Sequence, residues 1–205
     1  VYFMGSEDAD LDELGHIYLD GEKISWETAQ TGAVGRMHTD GLEKIVDRIE
    51  GEFSTWPFGP ELIQLLRTCY TGSETVQEAT LRLLHQLFGN HGLVVLIADD
   101  RRFKSVMRPV FKDDLEEHIP FRITEQTTGL LAEKYAVQAK PREINLFYLK
   151  DQLRGRVDFK EGLYKVHDTT LSFTGEAMKA ELDSYPERFS PNVIIRGLFQ
   201  TTILP

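Results

Sequence analysis

The chain has 205 residues, 41% hydrophobic and 27% charged, enough to bury the core of one large or two small domains. Its formal net charge of -10 and pI near 5.1 argue against nucleic acid or an anionic membrane as the main partner, since no basic stripe offsets the acids. A single cysteine, Cys69, excludes an intramolecular disulfide framework and suits a reducing cytoplasm, while the longest apolar run, residues 93–98, is too short to span a bilayer.

The first four residues, Val-Tyr-Phe-Met, carry a β-branched residue and two aromatics, the composition of a strand buried on both faces of a parallel sheet. At Gly5 the run breaks into Ser6, Glu7, Asp8 and Asp10. Parallel sheets bind ligands just beyond the carboxyl ends of their strands, which makes this turn a candidate site. Its negative charge repels phosphate and suits an ammonium group, sugar hydroxyls or a divalent cation. A structural reading competes with this one: Ser6 caps a helix and the acids complement its dipole.

Residues 11–14 read as a short helix stopped by Gly15, and residues 16–20 and 22–26 as a hairpin turning at Asp20-Gly21. From Thr39 a capped helix of about three turns carries Leu42, Ile45, Val46 and Ile49 on one face. Residues 54–60, with two prolines, form a loop, and residues 61–70 and 75–88 are amphipathic helices. Residues 93–98 are a second continuous apolar strand, which ends in Asp99 and Asp100 and so pairs in parallel with the first.

Helices are expected over residues 102–117 and, after a break near Pro120, over 124–138. A strand over 144–149 precedes an antiparallel pair, 154–159 and 163–166, turning at Gly162. A capped helix over 174–183 and an apolar, buried helix over 193–204 close the chain.

Glu7, Asp8, Asp10, Glu13 and His16 are the densest group of metal-type ligands, and one helix through them would align Asp8, Asp12 and His16. Gly15 interrupts that helix, and no zinc-type spacing supports a structural metal, which leaves transient magnesium. No nucleophile elbow is present, and Cys69 falls on the apolar side of its helix. Arg196 interrupts the apolar final helix, where a buried cation needs a partner or a cleft, and Asn192 stands where it can cap that helix or project into the same cleft.

Three stretches in the same order resemble the bacillithiol-biosynthesis cysteine-adding enzymes: Gly5-Ser-Glu-Asp-Ala-Asp-Leu-Asp-Glu-Leu-Gly-His-Ile-Tyr-Leu19; Ile144-Asn-Leu-Phe-Tyr-Leu149 with Arg154-Gly-Arg156; and Pro186-Glu-Arg-Phe-Ser-Pro-Asn-Val193 followed by Arg196, Gln200 and Leu204-Pro205. The resemblance implies an α/β fold, a Rossmann-like parallel sheet with helices on both faces and an inserted small α+β connecting segment. On this reading residues 1–118 are part of the core, with the hairpin and helices inserted, and residues 119–205 continue it with the connecting strands. The implied reaction joins L-cysteine to the amine of glucosaminyl-malate, with ATP and magnesium as candidate cofactors.

In that frame Glu7, Asp8 and Asp10 are the candidate catalytic residues, orienting an amine or sugar hydroxyls, with Ser6 and His16 binding substrate beside them. Asn192 and Arg196 face a substrate carboxylate, a group that a guanidinium matches. Family members are longer, with a glycine-rich turn before the first residue and a helical dimerisation arm after the last. The resemblance therefore implies a fragment, inactive alone, of a cytoplasmic homodimer. Two other readings compete: a non-catalytic binding or assembly module, and a metal-assisted phosphotransfer enzyme using Asp8 and Asp99.

Overall fold

The computed structural model describes residues 1–204 and divides into two compact units, Val1–Ala98 and Asp99–Pro205. The division falls before the expected boundary at 118, because residues 101–116 fold with the second unit. There the buried Asp114 binds the backbone N–H of Asn145 at 2.6 Å.

In the first unit β1 (Tyr2–Met4) pairs in parallel with β4 (Val95–Ile97), in the register Tyr2 to Val95 and Met4 to Ile97. The parallel pairing of the two apolar runs is as expected, but burial on both faces is not. Val1 is 75% exposed and only Met4 of the first run is buried. Among the described residues β1 has one hydrogen-bonded neighbour, and Tyr2 is exposed as well.

Between these strands run α1 (Leu11–Leu14), the hairpin β2 (His16–Leu19) and β3 (Glu22–Ser25), and helices α2 (Leu42–Phe53), α3 (Gly59–Leu66) and α4 (Val76–Phe88). The hairpin turns through left-handed Asp20 and Gly21, at φ 46° and 84°, the type I′ geometry that matches strand twist. Helix α3 starts inside the expected loop, with Pro60 in its first turn, where a missing N–H costs nothing. It ends in a π-helical turn, Arg67–Thr71, that buries Cys69. Trp26, Val34 and Met37 form a small core against Leu11, Leu42, Ile45 and Val76, and the indole N–H of Trp26 donates to the carbonyl of Asp40 at 2.9 Å.

In the second unit the expected single helix over 102–117 is two, α5 (Arg101–Val106) and α6 (Arg108–Glu116), with Pro109 in the first turn of α6. Proline removes the N–H that would reach the carbonyl of Ser105, and the Arg108 side chain donates to that carbonyl instead, at 3.2 Å. Helix α7 (Ile119–Ala132) starts before the expected residue 124, since Pro120 sits in its first turn rather than breaking a helix.

Strands β5 (Leu146–Lys150), β6 (Leu153–Lys160), β7 (Leu163–Val166), β8 (Ser172–Phe173) and β9 (Phe189–Pro191) form one antiparallel sheet in the order β8-β7-β6-β5-β9. Helix α8 (Gly175–Ser184) is capped by Thr174, and α9 (Val193–Ile203) by Asn192. Alternation places Leu146, Tyr148, Val157, Tyr164 and Val166 in the core. The buried Lys104 of α5 donates from Nζ to the carbonyl of Phe189 at 2.7 Å. No helix among the described residues is long and apolar enough to cross a membrane.

Candidate functional site

Where β1 ends, the chain is fixed by backbone bonds to a 3-10 turn, Val34–Arg36: the N–H of Gly35 donates to the carbonyl of Ser6 at 2.8 Å and that of Val34 to Asp8 at 2.7 Å. Gly35 is required for this approach. A Cβ there would lie 2.4 Å from the Cβ of Ser6 and 2.6 Å from its carbonyl oxygen, inside any tolerable contact.

A cavity of about 440 Å³ opens at this strand end. Its polar lining includes Ser6, Asp8, His16, Gln77 and Thr80, and its apolar wall includes Trp26, Ile45 and Leu83. A mostly apolar pocket with a few converging polar groups, beyond the carboxyl end of a parallel strand, is the usual form of a small-molecule site.

The sequence singles out three of these residues, Ser6, Asp8 and His16, and the fold brings them to one cavity. Glu7 and Asp10 are placed otherwise. Glu7 is buried, 7% exposed, and neither it nor Asp10 lines the cavity. Asp10 is the N-cap of α1, its side chain accepting from the N–H of Glu13 at 3.3 Å. The helix cap is thus Asp10 rather than Ser6, because the chain remains tied to the 3-10 turn as far as Asp8 and α1 starts only at Leu11.

Ser6 instead donates its hydroxyl hydrogen to Oε1 of Gln77, in the first turn of α4. Sequence reasoning did not single out Gln77, Tyr70 or Thr80. The helix over 75–88 is legible, but not that its first turn meets a strand end 71 residues earlier. Among the described residues no three His, Cys, Asp or Glu side chains group closely enough to hold a metal.

Asn192 and Arg196 lie in the second unit. Asn192 caps α9, its Oδ1 accepting from the N–H of Ile194 at 2.8 Å while its amide donates to Oδ1 of Asn145 at 3.0 Å. Arg196, expected to point into a cleft or to pair with a surface acid on a buried helix, is exposed. Helix α9 turns Ile195 and Phe199 into the core, and Arg196 falls on the other side of a helix that is buried along one stripe only.

Asp114 is fully buried, accepting from the N–H of Asn145 at 2.6 Å and from its amide at 3.0 Å. Burial pushes its carboxyl up to about 6, against the opposing effects of the Asn145 bonds and the nearby His118.

The parallel strand pair and the helices between its strands give the first unit a Rossmann-like α/β character. The sequence model of the bacillithiol-biosynthesis BshC N-terminal Rossmann-like domain matches residues 1–205, and the chain belongs to that family. It is similar to proteins named "Putative cysteine ligase BshC" from Cytophaga hutchinsonii and Flavobacterium johnsoniae. Each is 39% identical over the whole chain, which covers 38% and 39% of their respective lengths. A relative of the same name from Bacillus pumilus is 30% identical, with 40% of its length covered. The chain thus spans about two fifths of the curated relatives it matches.

Proposed function

We propose that this chain supplies the amine-substrate pocket of a cysteine ligase that joins L-cysteine to glucosaminyl-malate to form bacillithiol. The observation that carries the reading is the convergence of Ser6, Asp8 and His16 on one cavity at the end of β1. Forming an amide requires an amine that is held in place and gives up a proton as it attacks an activated carboxyl carbon. The carboxylate of Asp8 holds the ammonium by charge-assisted hydrogen bonds and takes one proton from it, freeing the lone pair that attacks. The C–N bond forms as the activating group departs from the carboxyl carbon, and the nitrogen's second proton leaves with that group. Ser6 and His16 bind the same substrate's polar groups.

Among the described residues lining the cavity there is no Lys or Arg. The lining therefore does not fit a triphosphate, and we assign the cavity to the amine substrate, with no step routed through ATP or magnesium. Arg196, exposed at the start of α9, is assigned to a substrate carboxylate, and Asn192 fixes the first turn from which it projects.

Asp8→Asn in the intact protein tests the reading. Loss of one charge-assisted bond is expected to weaken glucosaminyl-malate binding in titration calorimetry by about tenfold or more, and to abolish bacillithiol formation. Unchanged binding and turnover would remove the pocket assignment.

A further inference from the structure

We propose that Gln77 is a positioning residue that makes Ser6 an acceptor toward the ligand, so that the cavity selects a free amine. The inference rests on the reading that this cavity receives the amine-bearing substrate.

Both partners are held by their surroundings. The backbone of Ser6 is bonded to Gly35, and the two residues pack so closely that a methyl group could not come between them. The start of α4 is fixed as firmly. Thr75 caps it through the N–H of Glu78, the N–H of Val76 donates to Met37 at 3.0 Å, and the Thr39 hydroxyl donates to the carbonyl of Ser73 at 2.7 Å. Gln77, one residue beyond Val76, delivers its carbonyl oxygen to the Ser6 hydroxyl.

A serine hydroxyl has one hydrogen and two acceptor lone pairs. With the hydrogen committed to Gln77, Ser6 presents only lone pairs to a ligand in the cavity, and the Asp8 carboxylate on the same lining is an acceptor too. Two acceptors on one lining suit an ammonium, which carries three donors. An N-acetylated nitrogen keeps one donor and adds a carbonyl that neither group can serve. Gln77 thereby contributes to discrimination between free and acylated amines through Ser6.

The test is titration calorimetry of the intact protein with glucosaminyl-malate and with its N-acetyl form, across Ser6→Ala, Gln77→Leu, Gln77→Glu and the Ser6→Ala/Gln77→Leu double variant. Gln77→Leu is expected to weaken the free amine about fivefold to tenfold and the N-acetyl form little, narrowing the preference. Gln77→Glu keeps an acceptor and should bind as the native protein does. In the Ser6→Ala background Gln77→Leu should cost nothing further, because the bond it removes is already gone.

Equal losses from Gln77→Leu in both backgrounds, or Gln77→Glu as weak as Gln77→Leu, would overturn the role of Gln77. The pocket would still stand on the Ser6→Ala and Asp8→Asn results. Native-like binding by both of those variants would overturn the pocket reading and this inference together.

Discussion

At the scale of single residues, the fold depends on small groups in tight places. The Gly35→Ala variant would put a methyl group onto Ser6, and the end of β1 must move to accept it. We expect a loss of about 1–3 kcal/mol in denaturant unfolding, typical of overpacking, together with weakened ligand binding. A stability equal to the native protein's would show that the turn relaxes freely.

Asp114 yields a pH-dependent prediction whose sign follows from burial. Its carboxyl is raised from 3.8 to about 6 in the folded state, so between about pH 4 and pH 6 the folded chain holds more protons than the unfolded one. The stability contributed by the protonated form is full below about pH 4 and declines by roughly 3 kcal/mol as the pH rises through 6. Asp114→Asn removes this term. The Tm of the native protein minus that of the variant should therefore fall as the pH rises from 4 to 7. A gap independent of pH would show that Asp114 does not titrate in this window.

At the scale of elements, the helix termini are where the sequence acts most directly. Asn192 satisfies the first turn of α9 and also bonds Asn145, which in turn bonds Asp114. Asn192→Ala should therefore cost about 1–2 kcal/mol, the upper part of the range for a lost N-cap, measurable by urea denaturation. Arg196→Ala, on the exposed side of the same helix, should change stability by less than about 0.5 kcal/mol. A large effect of Arg196→Ala on binding without one on stability would support its place on a substrate carboxylate.

The elements also show how much was legible. Thr174 was recognisable as a helix cap because the side-chain oxygen and the donors it serves are local in sequence. The Asp20-Gly21 and Gly162 turns were legible for the same reason, since each needs left-handed backbone that glycine or aspartate adopts cheaply. The expected cap at Thr39 is not made: α2 starts after left-handed Gly41, and the Thr39 hydroxyl donates to the carbonyl of Ser73 instead. Pro109 and Pro120 were harder. Proline is tolerated in a first helical turn and disruptive in an interior, and the sequence alone did not say which turn each one occupied.

At the scale of the whole molecule, charge sets a further expectation. With a net charge of -10 the chain should show no measurable association with duplex DNA at physiological salt in a fluorescence anisotropy titration, because phosphate contacts need clustered cations. Saturable binding there would mean that local clusters outweigh the net balance.

Sequence by itself determined the local chemistry: two apolar runs each ending in carboxylates, the hairpins, the caps at Thr174 and Asn192 and the acidic net charge, all properties of neighbouring residues. It also placed Ser6, Asp8 and His16 near one another, since few residues separate them. Tertiary structure alone decided which acids face a cavity. Asp10 was drawn into a helix cap and Glu7 into a buried position, while Asp8 stayed on the lining. Only folding brought Gln77 to Ser6, because a contact across 71 residues depends on how distant elements pack and leaves no trace in local spacing. The exposure of Arg196 was settled the same way: an apolar helix is buried only on the side where neighbours exist to cover it.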